Sequence, residues 1–393
     1  MKLRSIAELA INKGSKVLVR VDYNIPVNDE GTITDDARIK GTIDTLKYIL
    51  EKGGIPIILS HWGRPESGPR PDMSLARVVP ELQKLLEHPV NFLIEPLGDS
   101  TKASVAAAKP GDVFLIENLR FHSGERKIDP EFAKALSEYA DFYVNDAFPV
   151  SHRSQTSVSV LPTFFKDPAA GFSLIREVDY FSKVVFSPER PYVLIIGGKK
   201  VEDKIGALRF LLEKTDEVLV GGGSCYTVLA ARGYPIGHSV LDKDLLDEID
   251  DIADSPKVKT PVDHIASTSY SEPQKAKVVT TESFPDDMMG LDIGPQTRKA
   301  FIEAIRKAKT ILWFGPLGAY EEKAFSVGSR EVAQAMAEVT KEGTTTVTGG
   351  GDSLAMLKSF GLEDSLSHAS IGGGACLHFL EGKELPGITP LIA

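Results

Sequence analysis

Ten short runs rich in Val, Ile and Phe recur along the whole chain, and amphipathic stretches long enough for helices separate them. Runs of this kind, apolar on both faces, suit strands of parallel sheets, because such sheets are covered by helices on either side. The pattern therefore predicts an α/β fold built from parallel βαβ units. In the first half the strands are expected at Val17–Asp22, Ile55–Ser60, Val90–Ile94, Val113–Ile116 and Asp141–Val144. In the second half they are expected at Tyr192–Ile196, Glu217–Val220, Lys277–Thr280, Thr310–Trp313 and Thr344–Thr348. A chain of 393 residues exceeds what one hydrophobic core serves, so two domains are expected. The segment Ala170–Phe181 carries apolar residues at helical spacing between Pro168 and Pro188 and reads as a linking helix. The expected division is residues 1–168, a linker over 169–186 and residues 187–377, with residues 378–393 forming a tail.

Ligands of open parallel sheets bind beyond the carboxyl ends of the strands, and here the two halves differ. The first-half strands are followed by Asp22, Asn24, His61, Arg64, Arg120, His152 and Arg153, a cationic rim with a few hydrogen-bonding groups. Arginine meets two phosphate oxygens with one planar fork, so this rim suits a polyanion. Those of the second half are followed by Gly197-Gly198, Gly221–Gly223, Gly315-Pro-Leu-Gly318, Gly349-Gly-Gly-Asp352 and Gly372–Gly374. Glycine lets backbone N–H groups approach a ligand closely, which suits nucleotide phosphates. A single glycine run usually marks a plain turn and a single Arg a solvated side chain; the sets carry the argument. Asp352 alone reads equally well as a helix cap and as a metal ligand.

The formal charge of −10 disfavours a nucleic-acid or anionic-membrane partner, and no run of eighteen apolar residues is present. Glu8 interrupts the N-terminus before a signal-peptide core can form, and the only cysteines are Cys225 and Cys376, which points to a cytoplasmic setting. A Walker A loop, a G-x-G-x-x-G fingerprint, an H-E-x-x-H helix and zinc-spaced cysteine pairs are all missing.

Taken in order, the strand-end segments resemble those of phosphoglycerate kinases from the first strand to the last residues. They are Val19-Arg-Val-Asp-Tyr-Asn-Ile-Pro26, Asp36-Ala-Arg38-Ile39, Leu59-Ser-His-Trp-Gly-Arg-Pro65, Glu117-Asn-Leu-Arg-Phe121 and Asn145-Asp-Ala-Phe148 leading to His152-Arg153. The second half adds Gly197-Gly-Lys-Lys-Val-Glu-Asp-Lys-Ile205, Gly221–Gly223, Leu291-Asp-Ile-Gly-Pro295, Trp313-Phe-Gly-Pro-Leu-Gly318, Gly349-Gly-Gly-Asp352 and Gly372-Gly-Gly-Ala375. The resemblance implies two Rossmann-like lobes, each a parallel sheet flanked by helices, joined by a linking helix around a cleft. It implies phosphoglycerate on the N-terminal lobe, magnesium nucleotide on the C-terminal lobe, and a tail returning to the first. The implied reaction is reversible phosphoryl transfer between 1,3-bisphosphoglycerate and ADP, giving 3-phosphoglycerate and ATP, by direct in-line transfer with closure of the lobes.

Residue by residue, the resemblance implies that Asp22 and Asn24 hold the hydroxyl and carboxyl end of the substrate. His61, Arg64, Arg120 and Arg153 would grip its distal phosphate. Arg38, beside the carboxyl group, and Lys200, on the nucleotide side, would stabilise the transferring phosphoryl group. Lys204 would contact nucleotide phosphate, Glu321 the ribose, and Asp352 the Mg2+ ion that accompanies ATP or ADP. Gly198, Gly222, Gly223, Pro316, Gly318, Gly350, Gly351 and Ser353 would pack around base and phosphates. The resemblance also implies a monomer. Four positions depart from the family pattern, all on the nucleotide side: Phe314 for Asn, Lys199 for Ala, Ser224 for Met and Ile371 for Thr. Lys199 reads either as a solvated side chain or as an added phosphate contact compensating for Phe314. A kinase for another acyl phosphate and a silent nucleotide-binding paralogue are the alternatives; retention of the four phosphate-gripping residues opposes the first, and retention of Lys200 and Arg38 the second.

Overall fold

The apolar runs of the first half form strands β1 (Lys16–Arg20), β2 (Ile55–Leu59), β3 (Asn91–Leu93), β4 (Phe114–Ile116) and β5 (Phe142–Asn145), joined by the short β6 (Ala169–Ala170). They come from a computed structural model that describes residues 1–66, 68–199 and 202–393. The chain divides into two units, Met1–Asp179 with Glu384–Ala393, and Tyr180–Lys383.

In the first unit all six strands run parallel in the order β3-β4-β2-β1-β5-β6. Val17, Leu18 and Val19 are buried on both faces of β1, which explains the unbroken apolar run. Each such side chain contributes about 1.5–3 kcal/mol relative to exposure. One face packs on Ile39, Leu46 and Ile49. Connections leave β1 toward β2 on one side and reach β5 on the other, so the strand order reverses at β1. That reversal opens a crevice at the carboxyl ends, where Asp22 and Asp146 follow β1 and β5.

The second unit holds β7 (Tyr192–Ile196), β8 (Glu217–Val220), β9 (Val258–Lys259), β10 (Asp263–Ser267), β11 (Lys277–Thr280), β12 (Met289–Ile293), β13 (Thr310–Phe314), β14 (Thr345–Gly349) and β15 (His368–Ser370). Six of them form a parallel sheet in the order β15-β14-β13-β7-β8-β9, packed on a core that includes Ile195, Trp313, Met336 and Met356. Here the order reverses between β7 and β13, and the turns Gly197-Gly198 and Gly315–Gly318 follow those two strands.

One strand assignment needs correction. Lys277–Thr280 is a strand, but it belongs to a separate antiparallel sheet of order β11-β10-β12 rather than to the parallel one. Val279 is buried while Val278 is 54% exposed, the one-sided burial of an antiparallel edge.

The helix Phe172–Phe186 spans the boundary between the units. Its start is fixed by Asp146, whose Oδ1 accepts the Leu174 N–H (2.9 Å), and by Thr45, whose hydroxyl accepts the Phe172 N–H (3.0 Å). Burial pushes the Asp146 carboxyl up to about 6, against the pull of the Leu174 N–H, the Thr45 hydroxyl and the Ser173 N–H. The segment that returns to the first unit begins at Glu384: Asn145 Nδ2 donates to Gly387 O (2.8 Å), and Ala393 N donates to Lys2 O (3.1 Å).

Candidate functional site

In the first unit the residues following β1, β2 and β4 converge. Asp22, 4% exposed, accepts from Arg38 Nη1 at its Oδ2 (2.7 Å) and from the Asn24 N–H at its Oδ1 (3.2 Å). Arg38 Nη1 also donates to Asn24 O (2.8 Å). The Asn24 carboxamide oxygen accepts the Gly63 N–H (2.9 Å), which leaves its amide as a donor. Glu117 and Asn118 stitch the surrounding loop. Glu117 accepts from Ser74 Oγ and from the Leu75 and Asn118 N–H groups, and Asn118 Nδ2 donates to Trp62 O and Met73 O.

His61 is buried beneath this rim, and burial, followed by the neighbouring Arg20, Arg120, Arg153 and Arg38, holds its imidazole well below the usual range. It is therefore neutral at pH 7. Its Nδ1 faces Arg20 Nη2 (3.2 Å), and because guanidinium only donates, Nδ1 is the acceptor and Nε2 carries the proton. The Asp22 carboxylate 3.7 Å away is thus a neighbour rather than an ion-pair partner. Arg120 donates to Gly63 O, while its Nε and Nη2 are buried with no hydrogen-bond partner. Burial, then Arg20 and Arg153, lower Arg120 to about 10. Arg153 is lowered as well, by burial and then by Arg64. Seven expected residues, Asp22, Asn24, Arg38, His61, Arg64, Arg120 and Arg153, thus gather in one cluster in which neighbouring cations lower His61, Arg120 and Arg153. Unmet guanidinium N–H groups inside it are costly unless an anion meets them.

Arg20 was not among the expected site residues. It is fully buried, and its Nε donates to Ser157 Oγ (2.8 Å), which in turn donates to the buried Glu125 (2.6 Å). A cation inside an otherwise apolar strand run was the available signal.

In the second unit a cavity of about 650 Å³ is bordered by Gly198, Gly222, Gly223, Pro316, Gly318, Glu321 and Asp352. An adjoining recess of about 150 Å³ takes Lys204, Gly350, Gly351, Ser353 and again Asp352. The glycine turns interlock: Gly198 N–H donates to Pro316 O (2.7 Å) and Gly222 N–H to Leu317 O (3.0 Å). A Cβ on Gly222 would lie 2.6 Å from Pro316 O, and its φ of 59° favours glycine independently. Ser353 Oγ accepts the Gly315 N–H (2.8 Å), and Trp313 Nε1 donates to Gly315 O (2.7 Å), so both fix the turn after β13. Lys204 Nζ lies over Gly198, 3.1 Å from where a Cβ would stand. Lys200 lies outside the described residues.

The inner wall of the cavity holds Tyr226 and His264. Thr281 Oγ1 donates to Pro261 O (2.6 Å) and so accepts from His264 Nε2 (2.9 Å), which makes His264 Nδ1 the acceptor of the Tyr226 hydroxyl (3.0 Å). Burial lowers His264 to about 4, consistent with that neutral tautomer.

Asp292 accepts the Gly328 (2.7 Å) and Ile293 (2.9 Å) N–H groups, yet burial pushes its carboxyl up to about 8. The folded chain keeps this proton where the unfolded chain, with a carboxyl near about 4, has lost it. The stability tied to protonated Asp292 is therefore fully present below about pH 4 and lost as pH rises to about 8. Urea unfolding of the wild type and Asp292→Asn at pH 5 and pH 8 checks this: the stability difference shifts in favour of the variant at pH 8, by about 1–3 kcal/mol.

The sequence profile described as phosphoglycerate kinase matches residues 6–383. The chain belongs to the phosphoglycerate kinase family. It is 42% identical over 396 residues to a phosphoglycerate kinase of Chloroherpeton thalassium, covering 100% of this chain and 99% of that one. To a phosphoglycerate kinase of Thermosipho africanus it is 45% identical over 385 residues, 96% of this chain and 95% of that one. The solved structure of phosphoglycerate kinase from Coxiella burnetii superposes with a TM-score of 0.89 at 37% identity, covering 99% of each chain. That from Pyrococcus horikoshii gives 0.85 at 30% identity, covering 99% of this chain and 98% of that one. The family's reaction is the reversible glycolytic transfer of a phosphoryl group from 1,3-bisphosphoglycerate to ADP, giving 3-phosphoglycerate and ATP. Among the described residues no helix is long and apolar enough to cross a membrane.

Proposed function

We propose that the first unit binds 3-phosphoglycerate or 1,3-bisphosphoglycerate and that the second binds ATP or ADP, with the roles divided as follows. Asp22 and the amide of Asn24 hold the hydroxyl and carboxyl end. The distal phosphate lies against Arg64, Arg120, Arg153 and the Nε2 proton of neutral His61. Arg38 and Lys200 stabilise charge on the transferring phosphoryl group. Lys204 takes a nucleotide phosphate, Glu321 the ribose hydroxyls, and the glycine turns with Pro316 and Ser353 enclose base and phosphates. The observation that carries the reading is the buried Arg120, whose Nε and Nη2 are unpartnered and lie among cations that lower both it and Arg153. Such a cluster is stabilised by a bound phosphate.

The carboxylate of 3-phosphoglycerate is already ionised at neutral pH and needs no general base, so the residues position and neutralise charge. Transfer is direct and in line and requires the two units to close over the ligands, excluding water from the acyl phosphate. Magnesium fits the donor set: it is commonly held by one or two carboxylates together with substrate phosphates. Asp352, at the start of helix Gly351–Phe360 and bordering both recesses, is the carboxylate that would hold it. Bound there, the ion would neutralise charge on the phosphate oxygens. The chain acts in the cytoplasm, as a monomer, with no nucleic-acid or membrane partner.

A coupled assay with 3-phosphoglycerate and magnesium ATP tests the reading, and turnover is expected in the wild type. Asp352→Ala is expected to raise KM for magnesium ATP by about tenfold, with KM for 3-phosphoglycerate unchanged. No turnover with 3-phosphoglycerate, beside turnover with a shorter acyl-phosphate acceptor, would replace the substrate assignment.

A further inference from the structure

The 650 Å³ cavity is lined by three carboxyl groups, Asp292, which holds its proton at neutral pH, Glu321 and Asp352, and among its described lining residues by one basic side chain of the Lys or Arg type, Lys199. His264 supplies no charge, being neutral. Nucleotide phosphates entering this space would meet backbone N–H groups, the acidic side chains of Glu321 and Asp352, and Lys199, with Lys204 over Gly198 on the side of the adjoining recess. We propose that Lys199 is a polyphosphate-binding residue of this chain, reading the phosphate tail of the nucleotide and setting its affinity. The proposal rests on the reading of this cavity as the nucleotide site.

Three observations support it. First, Lys199 is exposed and, among the described residues, its ammonium has no hydrogen-bond or ion-pair partner, so no structural contact accounts for it. Second, its backbone is held. Lys199 O lies 2.3 Å from where a Cβ on Gly223 would stand, so only glycine tolerates that approach. The buried Ser224 ties the loop down further, its N–H donating to Gly198 O (3.1 Å) and its hydroxyl to Gly197 O (3.2 Å). The stem of Lys199 therefore leaves from a fixed point beside Gly198, on the same rim as the interlocked turns. Third, the neighbouring recess has an apolar wall. Phe314, 3% exposed, lays its ring against Gly349, with Cε1 2.7 Å from a Cβ placed there, and offers no hydrogen bond. Lys199, Ser224 and Phe314 thus act on one stretch of the rim. One supplies charge, one fixes the loop that carries it, and one presents an apolar face nearby.

An ammonium on a phosphate tail has a signature that a structural lysine lacks: its effect scales with the phosphates and vanishes without them. Calorimetric titration of ADP, ATP and adenosine into the full chain, wild type and Lys199→Ala, reads this directly. Affinity for ADP and ATP is expected to fall about tenfold, with affinity for adenosine unchanged. Lys199→Arg is expected to keep most of the affinity, and the salt dependence of ADP binding to weaken in Lys199→Ala. In turnover assays KM for magnesium ATP rises while kcat and KM for 3-phosphoglycerate hold. Equal ADP affinity in the wild type and Lys199→Ala, or an equal loss for adenosine, overturns the proposal. A wild type that fails to bind ADP at all would instead overturn the reading of the cavity.

Discussion

Replacing Arg38 by alanine is expected to lower kcat for phosphorylation of 3-phosphoglycerate by about a thousandfold, with a much smaller rise in KM. Arg38 Nη1 is pinned by Asp22 Oδ2 and by Asn24 O, so the guanidinium meets the reacting carboxyl in a preset orientation rather than finding it after binding. Charge on the transferring phosphoryl group is greatest in the transition state, which is why the loss falls on turnover. The substitution has a second consequence: it strips the counter-charge from Asp22, a nearly buried carboxylate in a pocket that must admit an anion. Arg38→Ala combined with Asp22→Asn separates the two effects. Relief of repulsion restores KM, whereas kcat stays low if Arg38 acts on the transferring group. Steady-state kinetics in the ATP-consuming direction reads both, and a fall in kcat/KM with kcat intact would make Arg38 an ordinary binding residue.

The sequence displayed what depends on local pattern and hid what depends on distant partners. Val17, Leu18 and Val19 announced a doubly covered strand because every position is apolar. Strand β10 announced nothing, since it carries Asp263 and His264, both buried. Asp263 caps the helix Pro295–Lys307 through the Gln296 and Thr297 N–H groups, and His264 sits between Tyr226 and Thr281. None of these partners is visible from the strand itself, so its polarity looked like that of a loop. Lys277–Thr280 illustrates the converse: its β-branched residues identified a strand, but the choice of sheet lies in pairing across the chain with Asp263–Ala266. The rims of the site were legible because loop cations and glycines stand out wherever they occur. Glu117 and Asn118, close to Arg120 in sequence, gave no sign that they hold Trp62, Met73, Ser74 and Leu75 in place.

Arg20 is the sharpest of these hidden residues, and its replacement by methionine is expected to destabilise the first unit by about 3–5 kcal/mol near pH 8. Methionine approximates the volume of the stem, so the cost is electrostatic rather than a cavity. Arg20 and Glu125 are both fully buried and joined through Ser157, whose hydroxyl accepts from Arg20 Nε and donates to Glu125 Oε1, while its N–H donates to Oε2 (3.0 Å). Burial raises the Glu125 carboxyl, and Arg20 is the largest influence pulling it back. Without Arg20 it rises further. A carboxyl raised in the folded state contributes stability that is fully present below its unfolded value and lost as pH rises through its folded value. The deficit of Arg20→Met is therefore greatest above neutrality and shrinks as pH falls and Glu125 takes up its proton in the folded variant. Urea unfolding at pH 5 and pH 8 measures it, and Glu125→Gln added to Arg20→Met should recover much of the loss at pH 8. The same substitution frees His61 Nδ1 from its donor, so the proton on Nε2 is no longer fixed and binding of 3-phosphoglycerate weakens even where folding is intact. A deficit that ignores pH and is not relieved by Glu125→Gln would mean that Arg20 stabilises the unit by packing alone.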